Sequence, residues 1–185
     1  MRWDGLFDDL EAQAAALEQA ERAAEVEERT RGEVGTLAWR DRARAAVGAP
    51  VRLRLAGGGT VAGLLSRVGP DWLLVDEGTG REVVVATAAV LAARGLGRFS
   101  AAPGTEGAVA SRLGLRHALR AIARDRSVVR VQLLDASTVD ATIDRVGHDF
   151  IEVATHGAGE LRRRQDVRDV ELVPLTAIVA VRRAP

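Results

Sequence analysis

Arginine dominates the reactive side chains of this sequence. All 26 basic residues are Arg, balanced by 26 acidic ones, with three His and no Cys, Lys, Asn or Tyr. That inventory excludes whole chemistries. Without Cys there is no disulfide, thiolate nucleophile or Cys-ligated zinc, which fits a reducing compartment such as the cytoplasm. Without Lys there is no Schiff base and no lysine-bearing phosphate loop. Gly57-Gly58-Gly59 lies between two strand-like segments rather than ahead of a helix, so it reads as a hairpin turn and not a phosphate cradle. His117, His148 and His156 lack metal-ligand spacing, and Ser66, Ser100, Ser111, Ser127 and Ser137 sit in no Gly-x-Ser-x-Gly elbow. The chain therefore reads as a non-enzyme without metal or cofactor. An enzyme would need a site built from Asp, Glu, His and Arg in a cleft between its halves.

What remains is suited to binding. Arg67 and Arg145 each precede a glycine turn, and Asp71-Trp72 and Asp149-Phe150 follow those turns. A guanidinium there can read a phosphate or pair with the neighbouring carboxylate; a ring there can stack on a base or pack into the fold. Arg162-Arg163-Arg164 with Arg168 is the densest basic run, interleaved with Glu160, Asp166 and Asp169. It reads either as a solvated loop or as a salt-sensitive nucleic-acid contact.

The elements that position these residues follow from periodicity. Trp3, Leu6, Phe7, Leu10, Leu17 and Ala24 recur at helical steps among acids, which predicts an amphipathic helix of about 25 residues, weakened at Gly32 and Gly35. Its apolar stripe (Trp3, Leu6, Phe7, Leu10, Leu17) offers an interface for a dimer, for a partner or for the rest of the chain. Residues 1–28 hold nine acids against two arginines, a balance of −7, so the neutral total leaves +7 on residues 29–185. Leu37 to Val47 predicts a second helical piece, stopped by Gly48 and Pro50. The period then changes to two, with strands at 51–55, 60–68, 72–76, 82–86 and 90–93 separated by glycine turns. A glycine-rich stretch follows, then a helix whose apolar side carries Val109, Leu113, Leu119 and Ile122, and then strands again. No apolar run approaches the 18 or so residues of a membrane span, so no membrane role is expected.

The strongest internal signal is a repeat. At an offset of 78, ten of the 25 positions from Val51 to Val75 are identical to Val129 to Val153, and the preceding helix follows at the same offset (Leu37/Leu115, Arg42/Arg120). The last strands align at an offset of 89 (Val84/Val173, Thr87/Thr176, Val90/Val179), which places about 11 extra residues near 155–170 of the second copy. Gly63 of the first copy is Ala141 in the second.

Leu55-x-x-Gly58-x-x-Val61-x-Gly63-x-Leu65 leading into Asp71-Trp72-Leu73-Leu74-Val75-Asp76, with Arg94-Gly95 after the fifth strand, resembles the two motifs of the Sm-like family of small SH3-type barrels. That resemblance implies RNA binding through the loops after strands two and four, on a ring of barrels. Two departures weaken the implication. Asp71 and Asp149 stand where the family commonly has a base-contacting Asn, and the second copy ends Val181-Arg182-Arg183 without the glycine. The opening Arg2-Trp3-Asp4-Gly5-Leu6-Phe7 and the layout are also similar to a group of uncharacterised actinobacterial proteins, a likeness that carries no function.

The expectation is an α+β protein: a helical arm over 1–48, a five-stranded small antiparallel barrel over 49–96, a linker over 97–108, and a helix plus second barrel over 109–185. Its function is expected to be a non-enzymatic interaction module that binds a protein partner or self-associates. The alternative is an RNA- or DNA-binding regulator using Arg67, Asp71, Trp72, Arg94, Arg145, Asp149, Phe150 and the 162–168 arginines.

Overall fold

A computed structural model describes residues 4–102, 112–155 and 170–183, with the backbone alone for 4–12, 14 and 33. The chain forms two compact units, Met1–Ala38 and Trp39–Pro185. In the first, α1 runs from Asp4 to Thr36, 33 residues and about 50 Å of helix. It continues through both glycines instead of ending near residue 25. Glu precedes Arg by three or four residues in the pairs Glu18–Arg22 (2.9 Å), Glu27–Arg31 (3.7 Å) and Glu28–Arg31 (3.5 Å), the orientation that supports a helix. Leu17 is 64% exposed; Trp3 and the side chains of Leu6, Phe7 and Leu10 lie outside what is described.

The second unit is α+β, built on one large antiparallel sheet. Strands β1 (Pro50–Leu55), β2 (Gly59–Val68), β3 (Trp72–Asp76), β4 (Glu82–Ala86) and β5 (Val90–Arg94) make the first half. The second half holds β6 (Val128–Leu133), β7 (Thr138–Val146), β8 (Phe150–Thr155), β9 (Val170–Pro174) and β10 (Ile178–Arg183). Helix α2 (Trp39–Ala45) precedes the first half and α3 (Leu115–Asp125) the second. Alternation drives the strands: in β1 the side chains of Val51, Leu53 and Leu55 are buried and those of Arg52 and Arg54 exposed. No described helix is long and apolar enough to cross a membrane.

The strands do not form two separate closed barrels. They pair as one open ten-stranded sheet in the order β5-β1-β2-β3-β4-β10-β6-β7-β8-β9. Each half curls, because β4 and β5 are four strand spacings apart, about 19 Å if flat. The three residues Thr87–Ala89 between them reach no more than about 14 Å. Neither half closes, however, because the outer edge of β4 is taken by β10, with Ala180 opposite Val85, Val181 opposite Val84 and Arg182 opposite Val83. Val83, Val85 and Ala180 are completely buried at this seam, which joins the halves into one core.

The repeat is reproduced pair by pair. Arg52 faces Arg94 across β1 and β5 as Arg130 faces Arg182 across β6 and β10, and a bulge follows Leu65 in β2 as one follows Ile143 in β7. The register corrects the sequence alignment at one point. Leu73 faces Val85 while Ile151 faces Val173, so the last strands are related by an offset of 88, not 89, and the second copy is ten residues longer. Two apparent divergences also gain a cause. A β-carbon on Gly63 would run into the Asp76 carbonyl, where the chain leaves β3 for the short turn to β4. In the second copy β8 continues to Thr155 opposite Ala141, so that turn does not cross there and a methyl fits. Gly95 has φ +93 and lies against the Pro50 carbonyl, whereas its equivalent Arg183 stays in β10, paired with Val129.

Candidate interaction site

The two Gly-x-Asp-aromatic loops are built alike. Gly69 N–H donates to the Trp72 carbonyl (2.8 Å), and Gly147 N–H to the Phe150 carbonyl (2.9 Å). The Asp71 carbonyl accepts from Thr87 N–H (3.0 Å) and the Asp149 carbonyl from Leu175 N–H (2.8 Å), tying each loop to the turn before the last strand. Each ring folds over its glycine so closely that no β-carbon fits there. What the loops hold differs.

In the first half the loop grips the start of α3. Gly114, the residue before that helix, brings no side-chain acceptor, and Asp71 supplies one from 44 positions earlier: its Oδ1 accepts from Leu115 N–H at 2.6 Å. Beside it the Trp72 indole donates to the Leu113 carbonyl at 2.7 Å. Gly114 suits this approach, because a β-carbon there would already stand 3.2 Å from Oδ1. The helix then buries Leu115 and Leu119 and packs along β7, so its body belongs to the second half while its start belongs to the first. Of the residues expected on its apolar side, Leu119 and Ile122 pack inward, Leu113 lies ahead of the helix at 42% exposed, and Val109 is outside the described residues.

The second loop presents the same parts, and among the described residues no helix start lies on it. Phe150 is half-buried, Asp149 is exposed, and among the described residues the Asp149 carboxylate accepts nothing.

The arginines divide by copy. Arg67 is exposed, and Asp71, its expected ion-pair partner, is committed to α3. Arg145 pairs with Glu152 at 3.5 Å rather than with Asp149. In the second half Arg130 makes a bidentate contact with Asp140, 2.7 Å for each bond, and Arg182 lies 3.6 Å from Glu77 of the first half. The Arg130 hydrogen bond holds the Asp140 carboxyl below its ordinary range, as the Ser137 hydroxyl does for Asp135. In the first half Arg52 and Arg94 face each other as like charges, the position matching Asp140 is Ala62, and no carboxylate among the described residues reaches them. Arg162, Arg163, Arg164, Arg168 and His156 lie outside the described residues. Among those described, no three His, Asp or Glu side chains gather to hold a metal ion.

A cleft of about 280 Å³ opens where the halves meet, between β3, β4, α3 and β10, with Trp72, Val84 and Ile122 in its wall and Arg67, Glu82 and Asp125 among its polar residues. No residue pattern pointed directly to the Asp71–Leu115 bond or the Glu77–Arg182 pair. A helix opening on glycine, without its own cap, was the one available hint of the former. No protein-family model matches this chain, and no curated protein does.

Proposed function

We propose that this protein is a non-enzymatic interaction module made of two curled, SH3-like halves. Its second half receives a protein segment on the loop Gly147–Phe150 as the first half receives the start of α3. The observation that supports this is the equivalence of the two loops: the same backbone bonds, the same ring over glycine and the same carboxylate, with a helix N-terminus, among the described residues, on only one of them. Asp149 offers an acceptor to the unpaired N–H groups of a helix start, and Phe150 offers an apolar face beside it. Because Phe150 lacks the indole N–H that Trp72 uses, the second loop makes one hydrogen bond fewer and binds the more weakly.

The nucleic-acid alternative has less support. Its stacking ring and its carboxylate in the first half are spent on Leu113 and Leu115, and its densest arginines are outside the described residues.

A peptide copying residues 112–125 tests the proposal. Titrated into the isotope-labelled protein, it shifts the amide resonances of Gly147 to Phe150, and Asp149→Ala abolishes the shift. Unmoved resonances at that loop at millimolar peptide overturn the reading.

A further inference from the structure

We infer that the cleft where the halves meet is a binding site for a small zwitterion with an apolar body, the chemistry of an apolar α-amino acid. This goes beyond the peptide-receiving loop and uses a different surface from Gly147–Phe150, so either can fail alone.

The floor of the cleft follows from the strand register. Leu74 lies opposite Val84 and Val84 opposite Val181, so the three side chains form one apolar row across β3, β4 and β10. Arg67 of β2, the partner of Leu74, puts a guanidinium at the end of that row. With a side-chain period of two, Glu82 and Arg183 come next along the same face, one after Val84 and the other after Val181.

The roof is α3. Ala118, Ala121, Ile122 and Asp125 are spaced three and four apart, which puts them on one side of the helix, over that floor. Their short apolar side chains leave the space open, about 280 Å³ or roughly nine water volumes of about 30 Å³ each. The repeat does not impose this. At the offset of 78, the α2 residues that match Ala118 and Ile122 are Arg40 and Arg44. The roof is also anchored, because Asp71 and Trp72 of the first half hold the start of α3, and the Trp72 ring stands in the wall. The cleft is therefore preformed, at the small end of the range for ligand pockets.

Charge decides the ligand. Arg67, Glu82 and Arg183 make no ion pair among the described residues, and Asp125 accepts only from the Ser127 hydroxyl, at 3.1 Å. Arg182, by contrast, is engaged by Glu77 and Gln132. Two cations and two anions thus line one small cleft without neutralising each other. A simple anion that reaches Arg67 meets Glu82 and Asp125 as like charges, and a simple cation meets the reverse. A zwitterion answers both. Its carboxylate takes the Arg67 guanidinium, and its ammonium sits with Glu82 and Asp125 at the end of α3, where the last carbonyls add to the negative potential. Arg67 and Glu82 stand two strands and two residues apart, about 12 Å between backbones if flat. Both side chains reach into that span, which leaves a gap suited to two charges carried on one carbon. The ligand's apolar side chain then lies on Leu74, Val84 and Val181 beneath Ile122.

The test is a titration of the isotope-labelled full chain with L-leucine, followed at the backbone amides of Val84, Ile122 and Val181 and at the Trp72 indole. Millimolar L-leucine is expected to move these four resonances in one saturable transition while Gly147 to Phe150 stay in place. Isocaproate keeps the carboxylate and lacks the ammonium; isoamylamine keeps the ammonium and lacks the carboxylate. Each is expected to bind about tenfold or more weakly than leucine. Arg67→Gln and Glu82→Gln change exposed side chains and leave the fold intact, and each is expected to weaken leucine binding about tenfold or more. No saturable shift at tens of millimolar, a single-charge analogue that binds as tightly as leucine, or either variant at wild-type affinity overturns the inference. The peptide of residues 112–125 reads the Gly147–Phe150 loop separately, so its result stands whatever leucine does.

Discussion

Replacing Asp71 by Ala removes the side-chain acceptor that Leu115 N–H has at the start of α3, and caps of this kind are worth about 1 kcal/mol. Asp71→Ala is expected to lower the unfolding free energy by about that amount in urea denaturation. Asp149→Ala, at the equivalent and exposed position, is expected to stay within about 0.5 kcal/mol of the wild type. Equal losses in both would mean that the two loops do the same work within the chain. Asp140 makes a prediction in pH. Its bidentate pairing with Arg130 depresses the folded-state pKa. The stabilisation is therefore complete above the unfolded value of about 4 and is lost as pH falls through the lower, folded value. Asp140→Asn is expected to cost about 1 kcal/mol at pH 7, and the gap between the two urea midpoints closes on acidification below pH ~4. A gap that stays constant from pH 7 to pH 3 would assign the loss to packing instead of charge.

At the level of elements, the core cluster begins at Ala43 and includes no earlier described residue, while the described side chains of α1 after residue 12 are exposed. Removing residues 1–38 is accordingly expected to leave the cooperative transition of the remainder within about 0.5 kcal/mol of its value in the full chain. A larger loss, measured by denaturant midpoint and slope, would show that the arm contributes to the fold. The strands were the most legible elements, because burial on one face imposes strict alternation, as Val51, Leu53 and Leu55 between arginines illustrate. The helix end was less legible. Gly32 and Gly35 each cost about 1 kcal/mol relative to Ala, a signal that marks a weak point without requiring a stop. The offset of the last strands was misread for a specific reason. The segment is mostly Val and Ala, so sliding it by one residue keeps several identities, yet with a side-chain period of two it turns every residue to the opposite face. Cross-strand partners, such as those of Val85 and Val173, expose the slip.

For the whole molecule, the duplication could be read from identities at fixed spacing, but the seam could not. Which outer strand meets which is decided by contacts far apart in sequence, and neither β4 nor β10 carries a motif that names the other. The loop residues could be paired with one another from the repeat alone, while their surroundings separate only where α3 rests on one of them.

The position of β10 at the seam also governs when the sheet can form. This strand contacts β6 and β4 together, yet it follows the nine others in the chain. During synthesis the first half can assemble its five strands as they emerge, but its β4 edge stays bare until residues 178–183 appear. The second half meanwhile lacks the strand that lies against β6. Long-range pairing of this type is slow and leaves apolar edges exposed while it waits. The interval before residue 183 emerges is thus the period in which the nascent chain is most open to wrong pairing, including pairing with the bare edge of a neighbouring copy.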